Sequence, residues 1–221
     1  MNVEIKSLSG EVIFTHECVE IDQAVRAAVR RGVSLRGADL KGISIGKSDL
    51  RGVDLHMADL REANFRGADL RGADISSANM SGADMFGADL RITNLSSSNL
   101  TNANLCRADL QGTSLFRAHM RGTALRNVNL CRADTVDADM QGAILDGEVL
   151  QKVPLSVPNL RYEVLISTRY MRIGCERYTH EEWEAMSDAR IDYMGDFALH
   201  FWSAWKEPLL AMCKAHKLSH D

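Results

Sequence analysis

From Val33 to Gly147 the chain is one five-residue unit written twenty-three times without insertion or deletion, and that period leaves little choice of fold. A helix places its apolar residues three and four apart, and a half-buried strand places them on alternate positions. A period of five suits neither. It suits a backbone that runs one short side and turns one corner per unit, with two side chains inward and three outward. Such a chain stacks on itself as a solenoid.

Each register has its own chemistry. Positions 35, 40, 45 and onward to 145 hold Leu fifteen times, Met four times, Ile twice, and Phe65 and Thr135 once each. Two places earlier Ala stands fourteen times, with Ser, Thr or Val elsewhere except at Ile43, so the second inward position is cramped. Between the two lie Asp eleven times and Asn six, poor strand formers that tie their own backbone into turns. Two places after the large apolar residue, Gly fills eleven of the twenty-three units. That pattern predicts a turn with positive φ at its third residue, which Gly adopts without steric cost. Asn102 and Asn127 can serve there as well.

Runs such as Ala68-Asp69-Leu70-Arg71-Gly72, with close variants at 38–42 and 88–92, resemble the A(D/N)LXX signature of pentapeptide-repeat proteins. The resemblance covers just over half the chain. It implies a mainly β fold, a right-handed quadrilateral β-helix with four units per coil. Twenty-three units then make about six coils and, at about 4.8 Å per coil, a rod roughly 28 Å long. Residues twenty apart lie above one another.

The ends follow other rules. Residues 1–32 form an α/β N-terminal cap: two strands within 3–16 around a Ser-Leu-Ser-Gly turn, then a helix from Ile21 to Arg30 ended by Gly32. Its apolar face is Ile21, Ala24, Val25, Ala28 and Val29. Residues 33–149 are the repeat. It decays at Thr135, Ile144 and Glu148 and stops before Pro154 and Pro158, which mark a linker or an edge. Residues 150–221 then read as a linker and a helical C-terminal domain. There Thr179 and Glu182 make a capping box, and a longer helix starts near Asp196. Pro208 kinks that helix or begins a second one carrying Leu209, Met212, Cys213 and His216.

The net charge of −4 implies no obligatory nucleic-acid or membrane partner. No segment reads as a secretory signal or a membrane span, so a cytoplasmic location is expected. Five scattered cysteines argue against a disulfide framework. Cys175 with His180, and Cys213 with His216, offer a loosely spaced zinc set. Buried thiols and ordinary histidines explain them more simply, so neither metal nor cofactor is expected. Nucleophile, phosphate-loop and HExxH patterns are absent, so no enzyme is expected.

Twenty-residue stacking puts Asp49, Asp69, Asp89 and Asp109 in one outward row and Arg51, Arg71 and Arg91 in the next. These rows of opposite sign predict a self-neutralising face. Phe86 and Phe116 take outward positions where the family places polar residues, as do Met57, Ile92 and Val136. Together the two charged rows and the two phenylalanines are the candidate partner surface. In the tail, Phe197, Phe201 and Trp205 share a stripe beside Trp202, and with Leu209 they predict a homodimer contact.

The tail strings at 171–176, 180–183 and 201–206, like the Gly10–Phe14 element and the helix after it, are similar to segments of phage and prophage members of the family. The resemblance implies a non-catalytic, phage-encoded protein that binds and modulates a bacterial host protein, with direct nucleic-acid binding not expected. Two alternatives stay open. Some members resemble duplex DNA and act on gyrase or topoisomerase, but about 28 Å of duplex carries on the order of sixteen charges. The 33–149 segment has fifteen acids against thirteen bases. The other alternative is a structural part of the phage particle.

Overall fold

A computed structural model describes residues 1–130, 132–150, 154–157, 160, 162, 164–174, 176–195 and 197–218. The chain divides into two compact units, Met1–Val149 and Leu150–Asp221.

In the first unit, strands β1 (Asn2–Lys6) and β2 (Val12–Glu17) pair antiparallel and are followed by helix α1 (Ile21–Arg30). Ala24, Val25, Ala27 and Ala28 form the buried face of α1. Ile21, expected on that face, sits at the open first turn and is exposed; Ala27 takes its place, because small side chains let the helix approach the hairpin closely. The hairpin continues directly onto the repeat: the Asp39 amide donates to the Lys6 carbonyl at 2.8 Å, and the Leu8 amide to Gly37 at 2.9 Å.

From there the repeat winds as a β-helix. Its bridges are parallel and link residues twenty apart, Asp49 to Asp69, Asp69 to Asp89 and Asp89 to Asp109 among them, so four units make one turn. Inside, Leu50, Leu70, Leu90, Leu110 and Leu130 stack as a buried column. The cramped register is buried as well. Where it holds Thr, the hydroxyl is satisfied internally: Thr93, Thr113 and Thr123 donate to the carbonyls of Leu70, Leu90 and Leu100 at 2.8, 2.6 and 2.8 Å.

The unit 68–72 shows why five residues suffice. Ala68 N–H closes the turn onto Phe65 at 2.9 Å, Asp69 donates to Ser48 in one neighbouring coil, and Leu70 and Gly72 donate to Asp89 and Arg91 in the other. The remaining amide, Arg71, donates to the Asp69 carboxylate at 3.3 Å. Every N–H is used, which a buried backbone requires. Asn supplies the same acceptor at Asn64, Asn79 and Asn94.

The third turn residue has positive φ in every unit, whatever its side chain. Twelve of these residues are not Gly, and they include Lys47, Glu62 and Ile92 at φ 54°, 60° and 59°. Decay at the far end takes the form of a two-residue hairpin, β3 (Ile144–Leu145) with β4 (Glu148–Val149).

The second unit departs from a helical domain. It contains an antiparallel sheet in the order β5 (Leu155–Val157), β6 (Val164–Ile166), β7 (Tyr170–Ile173), β8 (Glu176–Thr179). Pro154 therefore precedes an edge strand, where a missing N–H is tolerated; Pro158 lies outside the described residues. After β8 come α2 (His180–Ala185), with the Thr179–Glu182 capping box formed, then α3 (Asp188–Asp192) and α4 (Ala198–Leu218). Pro208 does not start a second helix: α4 runs through it unbroken. The start expected near Asp196 falls outside the described residues, and the helix begins at Ala198.

Candidate interaction surface

On one outward face the acidic and basic rows are interlocked. Arg51 holds Asp49 at two points, 2.8 Å through Nε and 2.6 Å through Nη2. The Arg71–Asp69 and Arg91–Asp89 pairs repeat that geometry. Each arginine also leans toward the aspartate of the next coil: Arg51 Nε lies 3.7 Å from Asp69, Arg71 Nε 3.4 Å from Asp89, and Arg91 Nε 3.6 Å from Asp109. The hydrogen bond from Arg51 holds the Asp49 carboxyl down at about 2. Arg71 and Arg91 lower Asp69 and Asp89 in the same way. The face therefore presents ion pairs, not a bare acidic row.

Phe86 and Phe116 are half-buried on the outside of the coil. The guanidinium of Arg66 lies 4.5 Å from the Phe86 ring centre and that of Arg107 lies 5.5 Å from it. Arg117 lies 4.8 Å from Phe116. Cations over an aromatic face are attracted to its quadrupole. Arg66 is also tied to Asp84 at 2.9 Å, which fixes it beside the ring. Sequence reasoning missed these arginines, although Arg66 stands twenty residues before Phe86 and was open to the stacking rule.

The proposed dimer contact is largely internal to the second unit. Phe201, Trp202 and Leu209 are buried in its core with Val164, Ile166, Met171 and Trp183. The Trp183 and Trp202 rings lie 5.2 Å apart, and the Trp183 indole N–H donates to the Met171 carbonyl at 2.6 Å. Phe201, Trp202 and Leu209 thus face the unit's own core. Of the five residues expected at the dimer contact, Phe197 is 61% exposed and Trp205 36% exposed.

Of the loose zinc set, Cys175 lies outside the described residues. Cys213 is buried against Met171, with its sulfur 3.8 Å from the thioether, and burial pushes its thiol up to about 12. His180 is buried and begins α2, and His216 lies on α4. Among the described residues no three His, Cys, Asp or Glu side chains are grouped to hold a metal. Among those residues too, no helix is long and apolar enough to cross a membrane.

A coil of four five-residue units, stacked through parallel bridges, defines the chain as a β-helical solenoid. The pattern of the pentapeptide-repeat family matches residues 31–67, 54–91, 86–122 and 108–147, and the chain belongs to that family. No curated protein sequence matches the chain. Among solved structures it is similar to HetL of the cyanobacterium Nostoc sp. strain PCC 7120, a pentapeptide-repeat protein involved in heterocyst differentiation regulation. Identity is 27% over 53% of this chain and 66% of HetL, with a TM-score of 0.36. Rfr23 of Cyanothece 51142 gives 27% over 52% of this chain and 90% of Rfr23, with a TM-score of 0.30. A trypsin-treated form of QnrB1, a plasmid-mediated fluoroquinolone resistance protein, gives 22% over 49% of this chain and 55% of QnrB1, with a TM-score of 0.31.

Proposed function

We propose that this protein is a non-catalytic binding rod whose outer surface docks a bacterial host protein and modulates it. The observation that carries this reading is Phe86, with the guanidinium groups of Arg66 and Arg107 against its ring on a face where the repeat needs no apolar residue. Aromatic and arginine side chains supply most hot-spot energy at protein interfaces, and a pre-ordered cluster loses little entropy on docking. The finer reading is a right-handed coil of about six turns, a phage-encoded origin suggested by the tail strings, and action in the bacterial cytoplasm. A homodimer through the second unit belongs to the same reading, using Phe197 and Trp205; a mass by light scattering equal to one chain refutes that part.

Duplex mimicry toward gyrase is less well supported, because the arginines that would have to fold away sit on the aspartates instead. Affinity capture from bacterial lysate with the wild-type chain, the Phe86→Ala variant and the Phe116→Ala variant tests the main reading. One host protein retained by the wild type and lost with Phe86→Ala is expected; equal retention by all three removes this surface. Inhibition or protection of gyrase in a supercoiling assay would favour the mimic, and detection in purified virions would favour a structural part.

A further inference from the structure

A groove of about 540 Å³ lies between helix α1 and repeat residues 47–51, and the interlocked face does not account for it. Its lining includes four cations, Arg26, Arg30, Lys47 and Arg51, with Val29 and Asp49. Arg26 reaches Asp22 at 3.4 Å, and Arg51 holds Asp49 through Nε and Nη2. Arg30 and Lys47 have no carboxylate within 4.0 Å among the described residues. Arg36, Arg107 and Arg126 also lack one among the described residues, but none of them lines this groove; what sets Arg30 and Lys47 apart is that they face the same space. Two uncompensated cations facing one groove repel each other, and an anion between them relieves that repulsion. Small-molecule pockets for apolar ligands are lined mostly by apolar and aromatic side chains; the lining here is mainly charged and polar.

We propose that this groove binds a multivalent phosphate anion, with Arg30 and Lys47 as its principal contacts and Arg26 and Arg51 flanking them. Guanidinium forks pair with phosphate oxygens at two points, and the lysine ammonium adds a compact point charge. Linked phosphates bring several charges into one short groove. An acidic peptide supplies one per residue, spread along an extended chain. The inference rests on other side chains than the Phe86 cluster, although Lys47 adjoins it, its amide donating to the Arg66 carbonyl at 2.8 Å.

Equilibrium dialysis of the full chain with inorganic tripolyphosphate tests it, alongside fluorescence anisotropy with a labelled duplex oligonucleotide. Saturable tripolyphosphate binding is expected, weakened by salt. The Arg30→Gln/Lys47→Gln variant should lose about tenfold or more in affinity, while Arg121→Gln on another face retains it. Circular dichroism melts confirm that both variants fold. Duplex binding lost in the same double variant places the phosphates in a nucleic-acid backbone; tripolyphosphate binding alone places them in a free polyphosphate. The proposal is overturned if the wild type binds no tripolyphosphate, if the double variant binds as well as the wild type, or if a poly-glutamate peptide binds as tightly.

Discussion

Ile92 offers the sharpest test of how the repeat treats its corners. It is a β-branched residue at φ 59°, 76% exposed, in a position where eleven other units use Gly. An L-residue held in the left-handed region costs about 1–2 kcal/mol relative to Gly, and about 1.5 kcal/mol is taken for Ile92. Removing so exposed a side chain forfeits little burial. Against this, Gly raises the entropy of the unfolded chain by about 0.5–1 kcal/mol. The difference predicts that Ile92→Gly stabilises the first unit by about 0.5–1 kcal/mol, and that Ile92→Asn, which tolerates positive φ with less entropy, does at least as well. With a urea m-value of about 2 kcal/mol/M, the midpoint moves up by about 0.3–0.5 M. Far-UV circular dichroism reads the shift, since all three tryptophans lie in the second unit and do not report on the repeat directly. A lower midpoint for both variants would refute the claim that the turn, and not the side chain, sets the energy of this position.

Three further outcomes follow. Asp49, Asp69 and Asp89 have folded pKa values below their unfolded value of about 3.9, so their pairing contributes fully above that value and is lost as pH falls through the folded one. Melting temperature of the first unit should therefore drop between about pH 5 and pH 2, and drop less in Arg71→Gln, which lacks one pair to lose. Thr113→Val keeps the shape but leaves out the hydroxyl donor to Leu90, and should cost about 1 kcal/mol in urea unfolding. Cys213, buried and with its thiol raised to about 12, should stay unlabelled by iodoacetamide at pH 8 under native conditions, while Cys106 on the outer face is alkylated; site-resolved mass spectrometry reads both.

The coil was legible because every register has one physical job, and a job filled twenty-three times in phase is hard to misread. What one residue does inside that frame was less visible. Nothing about Lys47 or Arg107 as residue types announces a positive φ; only their register does. In the second unit the sheet escaped because its strands are three or four residues long. Val164–Ile166 is buried on both faces and reads as a plain apolar run. The alternation in Tyr170–Ile173, followed by Gly174 at φ 59°, was the available hairpin signal. Of the residues expected at a dimer contact, Phe201, Trp202 and Leu209 are covered by their own unit, and helical spacing alone does not say whether a sheet or a second chain covers an apolar side chain.

The same accounting separates residues that inform on a partner from those that do not. Every aspartate at this register except Asp39 is already committed, since its carboxylate accepts the amide two residues on, as Asp69 accepts from Arg71. Asn64 and Asn79 do this equally well, so an acidic row is first a product of turn chemistry. Charge beyond that need appears only in the choice of Asp over Asn. At 49, 69 and 89 that choice is cancelled by an arginine two places along. A DNA-like field would require aspartates without such partners. Phe86 and Phe116, like Met57, Ile92 and Val136, are outward apolar side chains that neither core nor ladder requires, so a test for a partner surface begins at such irregular positions and not at the acidic row.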